Sequence, residues 1–298
     1  MSASDWFKLI LLSLLWGGAF YLSEVALDHS GPLTIVMARV TLGAIVLIMF
    51  CRINGIGTRL TLPLVGGFFF MGLMNNVIPF SLITVGQTEI SGGLASIINA
   101  TTPLFTVAVA HGWPGGEKAT PLKIAGVFAG IFGVAILIGI GNFEQIGDGI
   151  FGISLCLAAS LSYAVALLFG RRFKDLNPIF FATGMLSAAA CMMVPLAFAL
   201  ETPFQPLPPV SALAAMVGLA VLASAVAYFL YFSVLASAGP TNASLVTFMI
   251  PVSAIFLGVT LRGEILEMRH IFGLGLILLG LLLVDGRLFG RWRRTAPR

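Results

Sequence analysis

The chain has 298 residues, of which 58% are hydrophobic and only 9% are charged. Soluble domains carry about 25% charged residues, so this composition excludes an ordinary soluble domain and indicates an integral membrane protein. The net charge of +4 does not indicate nucleic-acid binding, because the basic residues lie singly between long apolar stretches and gather at the C-terminus. We interpret them as topology signals.

Ten apolar segments follow one another along the chain. A helix needs about 20 apolar residues to span a hydrocarbon core of ~30 Å. Turn-forming Gly, Pro, Asn or Asp residues occupy most of the breaks between the segments. The sequence therefore predicts an all-α integral membrane protein with ten transmembrane helices. The predicted helices cover residues 7–27, 32–51, 63–86, 91–111, 121–141, 149–170, 178–199, 209–236, 240–260 and 269–289.

The basic residues predict the orientation, because cytoplasmic loops are rich in Lys and Arg. Ten helices put both termini on one side of the membrane. Cytoplasmic termini place 13 of the 16 Lys and Arg residues on the inside. We therefore expect a multi-pass protein of the cell (inner) membrane with both termini in the cytoplasm.

Features of the first half recur in the second half. Pro32 precedes the second predicted helix as Pro178 precedes the seventh, an offset of 146 residues. We predict a first repeat over residues 1–145, a second repeat over 146–289 and a basic cytoplasmic tail over 290–298. Each repeat holds five helices, an odd number, so the two repeats have inverted topology. Transporters built this way bind substrate near the midplane, at the repeat interface.

A polar stripe lies on the fourth predicted helix and returns 148 residues later on the ninth. Residues at i, i+3, i+7 and i+10 share one helix face. The two stripes therefore predict two walls of one cavity. They consist of Ser96, Asn99, Pro103 and Thr106 in the fourth helix and Ser244, Thr247, Pro251 and Ala254 in the ninth.

Several short motifs keep a fixed order along the ten segments. They are Trp16-Gly17-Gly18, Arg39, the run from Ala95-Ser96 to Pro103, the glycine pairs Gly126/Gly133 and Gly273/Gly280, and the acidic residues Glu117 and Glu264. This order resembles the EamA-type transporters of the drug/metabolite transporter superfamily, over nearly the whole chain. The resemblance implies that helices one to four and six to nine surround a central cavity, while helices five and ten pack outside it. Within the family, the chain is most similar to the amino-acid exporter branch.

Arg39 is a charged residue in the second predicted helix. It lies seven residues after Pro32, about 10 Å along the helix. A charge at this depth is costly and needs a wet cavity or a partner. Arg39 either binds a substrate carboxylate through a charge-assisted hydrogen bond or clamps helix-end carbonyls, Glu24 or Glu89.

Further candidate residues are polar or aromatic. Asn76 and Phe80 share one face of the third helix, and the offset of 148 relates this face to an aromatic face with Tyr228 and Tyr231 in the eighth. Aromatic faces with hydroxyl tips suit a substrate that has an apolar side chain and polar backbone groups, although ordinary helix packing explains the same residues. The predicted substrate-binding set is Trp16, Arg39, Asn76, Phe80, Ser96, Asn99, Tyr163, Tyr228, Tyr231 and Thr247.

Three prolines, Pro79, Pro103 and Pro251, fall inside predicted helices. Proline removes a backbone hydrogen bond and clashes with the preceding turn. Each proline is therefore either a hinge for a moving gate or a static kink.

The sequence contains no HExxH, Walker or GxSxG motif, so protease, ATPase and hydrolase functions lack their catalytic residues. We predict no enzyme activity, no cofactor, no metal site and no nucleic-acid partner. The expected partners are the lipid bilayer and a small-molecule substrate, and a monomer is compatible with this prediction. The favoured function is export of small amino acids and related metabolites by alternating access. Alternatives are efflux of cationic drugs, nucleotide-sugar exchange and a membrane receptor without transport activity.

Overall fold

A computed structural model describes residues 1–114, 119–138 and 149–285. Within these ranges the regular secondary structure is helical, which confirms the predicted fold class. We label the helices α1 Ala3–Leu27, α2 Pro32–Ile53, α3 Leu62–Gly86, α4 Gly92–Gly112, α5 Pro121–Ile138, α6 Ile150–Gly170, α7 Pro178–Leu200, α8 Val210–Ala238, α9 Val246–Arg262 and α10 Met268–Asp285.

Seven of these helices are long and apolar enough to cross a membrane by length and composition: α1, α2, α3, α4, α6, α7 and α8. Shorter apolar helices cover Pro121–Ile136, Val246–Arg262 and Met268–Val284, within α5, α9 and α10. The predicted repeat boundary between residues 145 and 146, the predicted tail over 290–298 and Glu117 lie outside the described residues.

Three of the described helices contain a wide π-helical turn that the sequence analysis did not predict. One covers Gly258–Arg262 at the end of α9. The other two cover Leu73–Val77 in α3 and Val221–Val226 in α8, so their first residues are 221 − 73 = 148 positions apart. Single π-turns in helices often mark functional sites. The repeat seen in the sequence is therefore also present in the backbone geometry.

The helical path is interrupted within the fourth and the ninth predicted segments. The backbone of α4 leaves the helix at Ala100 and Thr101, and a short helix at Pro240–Ala243 is separated from α9 by Ser244 and Leu245. Backbone that is not helical is tolerated at membrane depth only where protein covers it or where it lines a cavity. The breaks therefore favour a cavity beside both stretches.

Glycine allows α1 to cross α9 closely. A Cβ atom on Gly17 would collide with the Ser253 hydroxyl and lie 2.8 Å from the backbone nitrogen of Ala254. The Ser253 hydroxyl donates to the Ser13 carbonyl at 2.6 Å, which joins the same two helices. The glycine after Trp16 thus fixes the position of that tryptophan relative to α9.

Glycines also meet where α5 packs on α10. A Cβ on Gly126 would lie 2.6 Å from the Gly280 carbonyl oxygen, and one on Gly133 would lie 2.8 Å from that of Gly273. Small residues of this kind let two membrane helices approach closely.

Candidate functional site

A cavity of about 800 Å³ lies between the helices of the two halves, and we call it the central cavity. Its wall includes side chains from α1, α2, α3 and α4 and from α6, α8, α9 and α10. The volume lies within the range of roughly 300–1,000 Å³ that is usual for small-molecule sites. The central cavity is therefore the candidate binding site.

Eight of the ten predicted substrate-binding residues line the central cavity. They come from seven helices, which the fold brings together although the residues are far apart in sequence. They are Trp16, Arg39, Phe80, Asn99, Tyr163, Tyr228, Tyr231 and Thr247. Their role in binding remains a prediction.

Asn76 and Ser96 are not among the residues that line the cavity. Asn76 is fully buried behind the wall, where it faces the Tyr228 side chain without a hydrogen bond of ordinary geometry in the described part of the chain. Its neighbour Asn75 takes the cavity position and donates to the Tyr228 hydroxyl at 3.5 Å. The π-turn explains why Asn75 and not Asn76 lines the cavity. Its wider turn rotates the following residues relative to their positions in a regular α-helix.

Ser96 is buried because its hydroxyl stays within its own helix. It donates to the Gly93 carbonyl at 2.6 Å, and only 1% of the residue is exposed. The rest of the predicted α4 stripe, Asn99, Pro103 and Thr106, does line the cavity. The buried Oδ1 atom of Asn99 has no hydrogen-bond partner among the described residues, so it is free to accept a hydrogen bond from a ligand.

Arg39 is half-buried in the cavity wall. Its Nε donates to the Ser224 hydroxyl oxygen at 3.2 Å, and its guanidinium carbon lies 3.8 Å from the centre of the Phe80 ring. The predicted alternative, a clamp on Glu24, is not what the structure shows, because Glu24 faces Arg262. Arg39 forms no ion pair with an acidic residue in the described part of the chain.

Aromatic rings form another part of the wall. The rings of Trp16 and Tyr231 lie 5.6 Å apart at 41°, and Tyr228 stacks on Phe232 at 6.1 Å. These contacts hold the rings in place and leave Trp16, Tyr228 and Tyr231 facing the cavity. The second half thus contributes much of the aromatic surface, as the sequence predicted.

The three predicted hinge prolines occupy different positions. Pro79 is buried in the first turn after the π-turn of α3, and Pro103 lines the cavity in the first turn after the break of α4. Pro251 is buried within the continuous helix of α9. The hinge role remains a prediction for all three.

Several lining residues were absent from the predicted set. Lys123 lies at the start of α5, and Ser224 lies in the π-turn of α8. Ser224 lies 148 positions after Asn76, so the internal repeat relates it to a predicted residue, but hydropathy gave no signal for Lys123. The other polar lining residues outside the set are Ser23, Asn75, Thr84, Gln87, Thr102, Thr106 and Ser244.

An ion-pair cluster ties α1, α4 and α9 together at one end of the cavity, and it comprises Glu24, Asp28, Gly92, Gly93, Arg262 and Glu264. Glu24 accepts a hydrogen bond from the backbone N–H of Gly92, and both oxygens of Glu264 lie 3.2 Å from the backbone nitrogen of Gly93. These N–H groups belong to the first turn of α4, where a carboxylate is favoured by the helix dipole. The two carboxylates come from opposite halves of the chain.

Arg262 and Asp28 complete the cluster with two hydrogen bonds, at 2.8 and 3.0 Å. The hydrogen bond from Arg262 holds the pKa of the Asp28 carboxyl below its ordinary value. Both side chains are partly exposed, at 33% and 45%, so solvent weakens this pair. The carboxylate bonds to α4 are therefore the stronger part of the cluster.

Comparisons with known proteins identify the family. The sequence model described as "EamA-like transporter family" matches residues 6–139 and 150–285. The "Uncharacterized inner membrane transporter YedA" of Escherichia coli K12 is 27% identical over 93% of this chain and 89% of its own length. "Protein PecM" of Dickeya dadantii is 23% identical over 95% and 93%.

Another relative is the "S-adenosylmethionine/S-adenosylhomocysteine transporter" of Chlamydia trachomatis, 25% identical over 93% of this chain and 88% of its own length. A solved crystal structure has the same fold, with a TM-score of 0.69 and 19% identity, and the match covers 99% of this chain and 100% of that one. The family match covers both halves of the chain and therefore both walls of the central cavity. The chain belongs to the EamA-like transporter family and is a multi-pass membrane transporter of that kind.

Proposed function

We propose that the protein exports small amino acids and related metabolites, including hydrophobic and aromatic ones, across the inner membrane by alternating access. The observation that carries this proposal is the charge of the central cavity. Its charged lining residues in the described part of the chain are Arg39 and Lys123, both cations, with no carboxylate among them. Such a wall favours a substrate that carries a carboxylate.

The other lining groups suit the rest of an amino acid. Asn99 Oδ1 and the Thr247 hydroxyl are acceptors for an ammonium group, and the faces of Trp16 and Tyr231 attract cations as well as apolar side chains. Arg39 binds the carboxylate in this arrangement, by charge-assisted hydrogen bonds. The site therefore satisfies a zwitterion with an apolar side chain.

The volume of the cavity extends the proposal to larger metabolites. About 800 Å³ exceeds what a small amino acid fills. One relative is named a transporter of S-adenosylmethionine and S-adenosylhomocysteine, and both compounds carry an amino-acid group. Amino acids with large substituents are therefore included in the substrate class.

The lining of the central cavity gives less support to drug efflux and to nucleotide-sugar exchange. A cationic drug is usually held by a carboxylate, and the described lining residues include none. A nucleotide sugar carries two phosphates, for which two cations at separate places on the wall are a poor match.

The proposed orientation determines to which side of the membrane the central cavity opens. With cytoplasmic termini, the ion-pair cluster lies on the outer face. The cavity lining ends at Ser23 and Gln87 below the cluster and reaches Lys123 on the cytoplasmic side. The structure then corresponds to a state that faces the cytoplasm, and export requires the cluster to open.

Uptake into proteoliposomes tests the proposal. We expect saturable transport of labelled alanine, leucine and phenylalanine by the wild type, and a loss of at least tenfold in Arg39→Gln. Arg52→Gln, a change at the predicted cytoplasmic end of α2, is the control for charge and expression. Transport of a lipophilic cation but of no amino acid would contradict the proposal and favour drug efflux.

A further inference from the structure

The guanidinium of Arg39 is held at two points by residues from different halves of the chain. Ser224 in α8 binds its Nε edge at 3.2 Å, and Phe80 in α3 covers its face at 3.8 Å. Among the described residues this is the only hydrogen bond of Arg39, so Nη1 and Nη2 have none. The two Nη groups therefore remain for a ligand in the cavity that Arg39 lines.

The π-turn of α8 prepares Ser224 for this contact. A π-turn leaves a carbonyl without its usual helical partner, and here the Ser224 hydroxyl donates to the Leu219 carbonyl at 3.0 Å, five residues back. A serine hydroxyl has one donor and two acceptor positions. Because the donor is used by Leu219, the oxygen presents only acceptor positions to Arg39.

The π-turn of α3 precedes Phe80 and positions it over the face of the Arg39 guanidinium. It ends at Val77, and Phe80 follows in the first turn of regular helix after Pro79. The carbonyl of Met74 in this turn accepts from the Ser162 hydroxyl at 2.7 Å, which ties the turn to α6. The two π-turns, 148 residues apart, therefore fix the face and the edge of the same guanidinium.

We infer that Ser224 and Phe80 are positioning residues that orient Arg39 to bind a carboxylate end-on through Nη1 and Nη2. This inference rests on the proposed function. A side-on approach is blocked because Nε is occupied by Ser224. The end-on fork matches the two oxygens of a carboxylate, whereas a carboxamide offers one acceptor and one amino group that is repelled. Ser224 and Phe80 thereby set the preference for acids over their amides.

The experiment compares an acid with its amide. We would measure KM and the maximal rate of proteoliposome uptake for leucine and phenylalanine and for the two carboxamides. In Ser224→Ala we expect KM for the acids to rise about three- to tenfold, with a smaller change in the maximal rate and in the uptake of the amides. Ser224→Thr, which keeps the hydroxyl, should keep the preference for acids over amides. Phe80→Leu, which keeps an apolar side chain but removes the ring face, should lower it.

Ser187→Ala is the matched control, since among the described residues the Ser187 hydroxyl makes one hydrogen bond, which it donates to the Thr183 carbonyl of its own helix at 2.7 Å. An unchanged ratio of acid to amide in both Ser224→Ala and Phe80→Leu would overturn the inference. Arg39→Gln distinguishes a failure of the proposed function from a failure of this inference alone. If it keeps the acid preference, or if the wild type transports no acid, the proposed function fails and this inference fails with it. If Arg39→Gln loses the preference but Ser224→Ala keeps it, the inference alone is wrong.

Discussion

The helix α4 stops after Asn99 and restarts at Thr102, whereas α9 continues through Pro251, the residue 148 positions after Pro103. Threonine hydroxyls support the break in α4: Thr101 donates to the Ile98 carbonyl at 2.6 Å, and Thr102 donates to the Asn99 carbonyl at 2.8 Å. The bond to the Asn99 carbonyl replaces the one that Pro103 removes, because the missing N–H of Pro103 would have donated to that carbonyl. The corresponding residues before Pro251 are Met249 and Ile250, which have no hydroxyl group.

The two stretches also begin differently. The first turn of α4 offers the N–H groups of Gly92 and Gly93 to Glu24 and Glu264. The position 148 residues after Gly92 is Pro240, which has no N–H group. A pair of carboxylates therefore cannot close the second stretch in the same way. Two repeats with the same polar spacing thus have unequal ends, which favours the state in which the ion-pair cluster is closed.

The largest expected effect comes from weakening the ion-pair cluster. Glu24→Gln with Glu264→Gln leaves neutral acceptors but removes two charge-assisted bonds, at a cost of about 1 kcal/mol each. Together this is about 2 kcal/mol, so we expect the population open to the outside to rise by about thirtyfold. The measurement is labelling of Ser23→Cys, in a background without the native cysteines, by a membrane-impermeant maleimide.

Glu89→Gln is the control for this experiment, because Glu89 is an exposed residue outside the cluster. Equal labelling rates with and without the two cluster changes would show that the ion-pair cluster does not hold the cavity closed. The unequal ends of the two helices would then have no effect on the resting state.

An intermediate effect on transport is expected when the prolines of α4 and α9 are replaced. Pro103→Ala supplies an N–H group that competes with Thr102 for the Asn99 carbonyl, so α4 should straighten and displace Asn99. We expect transport rates to fall about three- to tenfold, because small misplacements of a binding group are costly. Pro251→Ala should change the rate less than about twofold and raise thermal stability.

Initial rates in proteoliposomes and thermal unfolding in detergent measure both proline variants. A larger rate loss in Pro251→Ala than in Pro103→Ala would contradict this expectation. Transport would then depend more on the bend of α9 than on the break of α4. Similar small losses in both variants would make the two prolines static kinks.

The smallest effect is expected from pH. The pKa of Asp28 is lowered in the folded protein by its hydrogen bond with Arg262, so the pair stabilises the fold above the unfolded pKa of about 4. This contribution is lost as pH falls through the lower, folded value. Because both side chains are partly exposed, we expect no more than about 1 kcal/mol.

Thermal unfolding of the wild type and Asp28→Asn between pH 7 and pH 3 measures this contribution. The two proteins should differ at pH 7 and converge on acidification. A difference that persists at pH 3 would assign the effect of Asp28→Asn to packing and not to its charge.

Much of the fold was predictable because the bilayer leaves few choices. Runs of about 20 apolar residues must form helices, and the offset of 146 to 148 residues revealed the repeat. The same patterns led to eight of the lining residues, including Arg39, Tyr228 and Thr247. Asn76 was misplaced because hydropathy patterns assume a regular turn, and nothing in the composition of Leu73–Val77 signals a π-turn.

By itself, the sequence determined that this chain is a helical membrane protein with two related halves and a polar, aromatic interior. Only the tertiary structure decided which polar atoms meet there. The contacts of Arg39 with Ser224 and Phe80 join residues 185 and 41 positions away, through turns whose geometry depends on freed carbonyls that find partners elsewhere. Apolar periodicity is a local property that lipid imposes on each helix, whereas hydrogen bonds across the cavity depend on how all the helices pack.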